Sequence, residues 1–294
     1  RGKGLFSLIK APIAIVRAIA KAQALMRKYN PKVVVSFGGY TAGPGGVAAY
    51  LQGRSLIVHE QNCAPGLTNR LLARIAKKVL TGFPNSFAHI PHKTVGNPVR
   101  AEISQLPMPE MRHQEHGSLR VLVLGGSQGA RTINALMPTV FANISNQYAF
   151  EIRHQCGESM LSETELSYET LNVNASVETF IKDMASAYAW ADVVIGRAGA
   201  LTVSELCAAG VASILIPLPT AVDDHQAKNA DFLKMHGGGV WFRQDSSLEQ
   251  EVKAALVDFA EHPERVLAMA KAARAAALPN AASDVAAIIV KEMA

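Results

Sequence analysis

At 294 residues, 49% of them apolar and 18% charged, the chain has the composition of about two ordinary folded domains and not of a disordered or fibrous protein. No apolar run reaches the roughly 18 residues that a membrane-spanning helix needs, and Cys63, Cys156 and Cys207 are too widely spaced for a disulfide framework or a zinc site, which suits a reducing cytoplasm. The net charge of +5 conceals an asymmetry: residues 1–100 carry 15 Lys and Arg against the single acid Glu60, a balance of +14, whereas residues 101–294 balance at −9, so the first part is expected to meet something anionic.

The chain opens on Arg1, with no signal-peptide pattern behind it, and reads as lacking an N-terminal part. A first helix is predicted over residues 12–29, with Pro12 in the first turn, where a missing N–H costs little. Short apolar runs then alternate with helical patterns, the signature of an α/β fold with parallel sheets. Strands are expected at 32–37, 55–59, 78–81 and 93–95, with helices at 45–52 and 67–76. The polar, proline-bearing and aperiodic stretch 105–117 reads as a linker. The scheme restarts beyond it, with strands at 119–124, 149–154, 175–179, 192–195 and 212–216. Helices are expected from Ala130 and at 184–190, 201–209, 225–235, 263–277 and 281–293. Two domains follow: residues 1–104 together with the closing helix 281–294, and residues 105–280.

Gly125-Gly126-Ser127-Gln128-Gly129-Ala130 sits directly after a predicted strand and opens a helix. Glycines there permit a tight turn, and the N–H groups at a helix start favour a phosphate. Such a turn also serves chain geometry alone. No Gly-Lys-Ser/Thr follows, so it is not a Walker loop. A second cluster, residues 38–46, holds five glycines in nine positions and could likewise present backbone amides to an anion or simply pack a turn. His59-Glu60-Gln61-Asn62 leaves a strand at its carboxyl end, where α/β folds bind ligands, although a lone His there is more often a structural hydrogen bonder. Glu205 lies a turn into a helix after a strand, placed to accept hydrogen bonds from a ribose diol or to serve as an ordinary surface acid. Gln226 and Asn229, at i and i+3, put two amides on one helix face, suited to sugar hydroxyls or to solvent. Asp223-Asp224 are adjacent and lack D-x-D spacing, so no metal is expected. No G-x-S-x-G elbow supports a nucleophilic triad.

Taken in order, these segments resemble the MurG family of UDP-N-acetylglucosamine transferases, glycosyltransferase family 28. The likeness rests on residues 1–4, 38–40, 43–46, 59–62, 95–100, 125–130, 189–192, Arg197, 199–205, Gln226 and Asn229, and so runs essentially from end to end. The resemblance implies a GT-B fold of two Rossmann-like domains, the N-terminal one incomplete here. It also implies an inverting transfer of N-acetylglucosamine from UDP-N-acetylglucosamine to the C4 hydroxyl of lipid I, forming lipid II in peptidoglycan synthesis, with no cofactor. On the donor side it implicates Arg100, Ser127, Gln128, Gly129, Ile181, Ala200, Leu201, Thr202, Glu205, His225, Gln226 and Asn229. On the acceptor side it implicates Gly39, Tyr40 and Asn62. The family's Gly-Gly-Thr-Gly-Gly-His loop, with its favoured catalytic base, would lie upstream of Arg1, so donor binding without turnover is one expectation for this stretch. Leu5, Phe6, Leu8, Ile9 and Ile13, close to Lys3, Lys10 and Arg17, match the family's membrane-facing patch, which implies peripheral binding at the cytoplasmic face of an anionic bacterial inner membrane. The alternatives are another UDP-sugar enzyme (a diacylglycerol glycosyltransferase or a UDP-sugar epimerase) and a non-catalytic nucleotide-binding fragment. Nucleic acid is not an expected partner, because no aromatics interleave the basic residues.

Overall fold

The computed structural model describes residues 5–112, 117–126 and 130–293, and the side chains of residues 5–11 and 222 fall outside that description. Arg1 to Gly4, Ser127, Gln128 and Gly129 therefore lie outside the described residues, as do the side chains of Leu5, Phe6, Leu8, Ile9 and Lys10. The chain forms two compact units, residues 1–98 with 280–294 and residues 99–279.

In chain order the first unit contributes α1 (Leu5–Tyr29), β1 (Val33–Ser36), α2 (Ala42–Leu51), β2 (Ser55–Glu60), α3 (Leu67–Leu72), β3 (Lys78–Thr81) and β4 (Lys93–Thr94). The second contributes α4 (Ala101–Ser104), α5 (Pro109–Arg112), β5 (Leu119–Leu124), α6 (Arg131–Ala142), β6 (Phe150–Gln155), α7 (Leu161–Thr170), β7 (Ser176–Glu178), α8 (Met184–Trp190) and β8 (Val193–Gly196). It continues with α9 (Ala200–Ala209), β9 (Ala212–Leu215), α10 (His225–Met235), β10 (Gly239–Trp241), α11 (Leu248–Glu261) and α12 (Pro263–Ala275). The last helix, α13 (Ala281–Met293), returns to the first unit.

The first unit is a parallel sheet in the order β1-β2-β3-β4, buried on both faces. Because side chains alternate along a strand, Leu56 and Val58 of β2 face Leu72, Val34 and Val47, while Ile57 faces Leu80, Val95 and the α13 residues Val285, Ile288 and Ile289. Burying each such side chain contributes about 1.5–3 kcal/mol. A partner for the carboxylate of Glu292 completes the docking of α13: Lys77 Nζ lies 2.6 Å from it, and Ser55 Oγ donates to it at 3.1 Å. At the other end of the chain, α1 starts earlier than expected. Pro12 sits inside it and not in its first turn, and so removes one i→i−4 hydrogen bond.

In the second unit all six strands are parallel, in the order β10-β9-β8-β5-β6-β7. The order reverses between β5 and β8, which makes their carboxyl ends a topological switch point. Val121 and Val123 of β5 pack on Ile133, Met137, Val140 and Phe141 of α6 and, with Val193 and Ile195 of β8, share a core with Leu248, Val252, Leu256 and Phe259 of α11.

The stretch read as an aperiodic linker instead carries α5 and is firmly anchored. Arg112 donates to the carbonyls of Pro107 at 3.0 Å, Tyr188 at 3.1 Å, Ala209 at 2.5 Å and Gly210 at 2.9 Å. One guanidinium thereby satisfies carbonyls at the C-terminal ends of both α8 and α9, groups that a helix leaves without internal partners. Burial lowers its pKa most, the nearby Arg274 lowers it further, and Asp192 opposes both.

Candidate nucleotide-binding site

β5 runs into Gly125 and Gly126 at the switch point. Gly125 N–H donates to the Gln155 carbonyl at 2.8 Å. A Cβ on Gly125 would lie 2.9 Å from that oxygen and 3.0 Å from Asn134 Oδ1, so only glycine fits without a shift. Gly126 adopts φ +75°, the left-handed region that favours glycine. The Gln155 side chain, 5% exposed at the end of β6, clamps this turn. Its Oε1 accepts from Gly126 N–H at 2.9 Å, and its Nε2 donates to the carbonyls of Gly126 and Thr179, both at 2.9 Å. One amide group thus ties the turn after β5 to the segment after β7.

A fully buried polar network lies underneath. Asn134 Nδ2 donates to the Cys156 carbonyl at 2.9 Å, which leaves its Oδ1 to accept from His154 Nε2 at 3.1 Å. Tyr168 then donates to His154 Nδ1 at 2.9 Å. Burial lowers the His154 pKa to about 4 and raises that of the Tyr168 hydroxyl strongly, so both stay neutral near pH 7.

On the β8 side, Arg197 leaves the strand and donates through Nη1 to the carbonyls of Ile216 at 3.0 Å and Pro217 at 3.2 Å, and through Nη2 to Gln244 Oε1 at 2.9 Å. Gly199 then starts α9, which carries Thr202 and Glu205. Two groups grip the Glu205 carboxylate. Arg100 Nη2 lies 3.0 Å from Oε1, and the Tyr188 hydroxyl donates to Oε2 at 3.1 Å. Burial, and next the anionic Glu205, push the Tyr188 pKa well above the ordinary phenol value, so this hydroxyl remains a donor.

These parts enclose a cavity of about 240 Å³, lined by Arg100, Gly125, Gly126, Gln155, Phe180, Ile181, Thr202 and Glu205 among others. Its wall combines an apolar edge (Phe180, Ile181 and Met184), a carboxylate, and the start of α9. The N–H groups of Gly125 and Gly126 are both taken by Gln155 and are not offered to the cavity.

Of the residues implicated on the donor side, the structure brings Arg100, Ile181, Thr202 and Glu205 into one cavity, with Ala200 and Leu201 at the start of the adjoining helix. Ser127, Gln128 and Gly129 are outside the described residues. His225, Gln226 and Asn229 sit on α10 and do not line the cavity. There Gln226 Oε1 accepts from Leu218 N–H at 2.9 Å, and fully buried Asn229 donates to the Ala198 carbonyl at 3.1 Å, which braces the segment between β8 and α9.

The residues implicated on the acceptor side by the resemblance belong to the first unit. Gly39 has φ +78° and Tyr40 is 88% exposed. Asn62 donates through both its backbone N–H and its side chain to Glu60 Oε1, at 2.9 and 3.1 Å. Glu60 Oε2 accepts from Gly66 N–H and Asn69 Nδ2, so this carboxylate organises the loop. His59 is a structural hydrogen bonder: Nε2 donates to the Gly96 carbonyl at 2.9 Å, Nδ1 accepts from Gln61 at 3.2 Å, and burial lowers its pKa. Gln155 and Tyr188 escaped the sequence reading. Gln155 was legible only as a polar residue at the end of the strand β6, and Tyr188 only as the aromatic immediately before the Ala189–Asp192 motif.

A doubly wound parallel sheet with a polar crevice at its switch point defines a nucleotide-binding α/β protein. Residues 120–285 match the glycosyltransferase family 28 C-terminal domain and residues 1–81 its N-terminal domain. Along 99% of its length the chain is 52% identical to the UDP-N-acetylglucosamine–N-acetylmuramyl-(pentapeptide) pyrophosphoryl-undecaprenol N-acetylglucosamine transferase of Xylella fastidiosa strain M12, covering 80% of that protein. The crystal structure of Acinetobacter baumannii MurG superposes with a TM-score of 0.86 at 39% identity, over 96% of this chain and 79% of that one. A Neisseria meningitidis UDP-GlcNAc 2-epimerase shares the fold, with a TM-score of 0.68 at 13% identity over 95% of this chain and 81% of that one. The chain belongs to glycosyltransferase family 28.

Proposed function

We propose that this chain performs, or forms the donor-binding body of, an inverting transfer of N-acetylglucosamine from UDP-N-acetylglucosamine to the C4 hydroxyl of lipid I, yielding lipid II. The names of its relatives support the substrates. The observation that carries the reading in this molecule is the crevice between β5 and β8, where Glu205, Arg100 and an apolar edge surround a cavity beside the start of α9.

In this reading Glu205 accepts the ribose hydroxyls, the backbone of Ile181 meets the uracil, and Phe180 covers it. The diphosphate lies at the start of α6. As the acceptor hydroxyl attacks the anomeric carbon from the opposite face, negative charge grows on the departing diphosphate. Helix-start amides are oriented for that charge, and each such donor lowers the barrier by about 2–4 kcal/mol. Ser127, Gln128 and Gly129 precede that helix in the sequence, and Arg100 lies beside the nucleotide. His225, Gln226 and Asn229 serve the sugar side, Asn229 by holding the Ala198 carbonyl in place. Gly39, Tyr40 and Asn62 face the acceptor. The hydroxyl proton passes to a base. His59 does not supply that base, because both its ring nitrogens are committed. UDP-N-acetylglucosamine is a substrate, and the scheme calls for no cofactor.

No helix among the described residues is long and apolar enough to cross a membrane. Peripheral binding at an anionic cytoplasmic leaflet is supported by α1, which exposes Ile13, Ile15 and Val16 beside Arg17. Flotation with vesicles should rise with anionic lipid and fall with salt; flotation indifferent to both refutes it. For the donor, titration calorimetry should show UDP-N-acetylglucosamine binding and no binding of a single-stranded oligonucleotide. The reverse pattern rejects the transferase.

A further inference from the structure

The carboxylate of Glu205 is held at two points of very different character. Arg100 is half-exposed, its side chain 51% accessible, whereas Tyr188 is 1% exposed. Tyr188 belongs to α8 and Glu205 to α9, and Arg112 fixes the C-terminal ends of both helices through the carbonyls of Tyr188, Ala209 and Gly210. The phenol oxygen is therefore a fixed point, while a half-exposed arginine can exchange partners at little cost, since such ion pairs are worth about 0–1 kcal/mol. Each carboxylate oxygen offers two lone pairs. With one lone pair of Oε2 taken by Tyr188, that oxygen is anchored before any ligand arrives, whichever partner Oε1 then has.

We propose that Tyr188 is a positioning residue that sets selectivity for a ribose over a deoxyribose nucleotide by holding Glu205 in the orientation that accepts a vicinal diol. The proposal rests on the reading of Glu205 as the ribose acceptor. Without the phenol hydroxyl, Glu205 retains its charge and its pairing with Arg100 but loses the hydrogen bond that orients it. A carboxylate turned towards Arg100 still attracts a hydroxyl, though no longer two in fixed geometry.

The test compares UDP with 2′-deoxy-UDP by titration calorimetry on the full chain, for the wild type, Tyr188→Phe, Glu205→Gln and the double variant. The wild type should favour UDP, by about tenfold for one lost hydrogen bond to a charged group. Tyr188→Phe should cut that preference at least about threefold while 2′-deoxy-UDP affinity changes less, and it should have no further effect in the Glu205→Gln background. A merely structural role would weaken both nucleotides equally. An unchanged preference in Tyr188→Phe, with a reduced one in Glu205→Gln, overturns the proposal and leaves the ribose reading intact. A wild type that does not distinguish the two nucleotides, or an unchanged preference in Glu205→Gln, overturns the ribose reading and the proposal with it. Should Tyr188→Phe fail to fold, fluorine NMR of the 3-fluorotyrosine-labelled chain replaces it. One of the six tyrosine signals should then shift with UDP and shift less with 2′-deoxy-UDP, and equal responses overturn the proposal.

Discussion

Replacing Gln155 with methionine removes the clamp while keeping an unbranched side chain of similar length. Three hydrogen bonds of 2.9 Å disappear: Gly126 N–H to Oε1, and Nε2 to the carbonyls of Gly126 and Thr179. At about 0.5–1.5 kcal/mol net for each satisfied bond, the loss is roughly 2–4 kcal/mol. The lower end applies if water enters from the adjoining cavity and satisfies the stranded backbone groups. The two segments released, the turn after β5 and the segment after β7, are those assigned to the diphosphate and the base. Nucleotide affinity should therefore fall with stability, by about tenfold or more for a misplacement worth 1.4 kcal/mol. Urea denaturation gives the first quantity, and calorimetry with UDP at temperatures where the variant is fully folded gives the second. A variant less stable by the expected amount but equal to the wild type in UDP affinity would refute the coupling of turn to site. Stability within 0.5 kcal/mol of the wild type, about the noise expected of a surface change, would refute the hydrogen-bond argument itself.

Glu205→Ala should weaken UDP binding by about 1–3 kcal/mol, measured by calorimetry, and unchanged affinity removes Glu205 from the site. Stability should depend on pH through His154: burial holds its folded pKa at about 4, below the ordinary imidazole value of about 6.5, so the unfolded chain binds the proton first as pH falls. The contribution is full above pH 6.5 and declines by up to about 3 kcal/mol as pH falls to 4, a slope that urea denaturation should detect and that His154→Gln should flatten. Arg112→Ala should destabilise the second unit by about 3 kcal/mol or more by leaving the carbonyls at the ends of α8 and α9 without their charged donor, and thermal melting near the wild-type value would contradict this. Gly125→Ala should cost about 1–3 kcal/mol, because its Cβ meets backbone at the Gln155 carbonyl, and a neutral effect would show that the turn yields.

The parallel α/β class was legible because strands buried on both faces read as unbroken apolar runs, as at β2 and β5. The long helix α11 was overlooked although Leu248, Val252, Leu256 and Phe259 give it a plain helical stripe, and elements without such contrast were missed as well. α7 (LSETELSYET) buries only Thr164 and Tyr168 and shows no apolar stripe, and β10 is three residues beginning with glycine. α5 was hidden in a polar stretch because a single arginine, not a hydrophobic face, holds it. The lining of the candidate crevice was legible close to strand ends, at Gly125 directly after β5 and at Glu205 in the helix that follows β8. Gln155 and Tyr188 work by reaching groups distant in the chain, 29 and 17 residues away, and no local pattern marks such a pairing. Conversely, the glycine turn at 125–126 has both its N–H groups already engaged by Gln155 at the end of β6, which nothing in the local sequence marks.

The proposed transfer requires the switch-point crevice of the second unit to hold a uridine diphosphate. A crystal structure of the chain with UDP should show the ribose hydroxyls within hydrogen-bonding distance of Glu205 and the diphosphate at the start of α6. Nucleotide bound elsewhere, with that crevice empty, would contradict it.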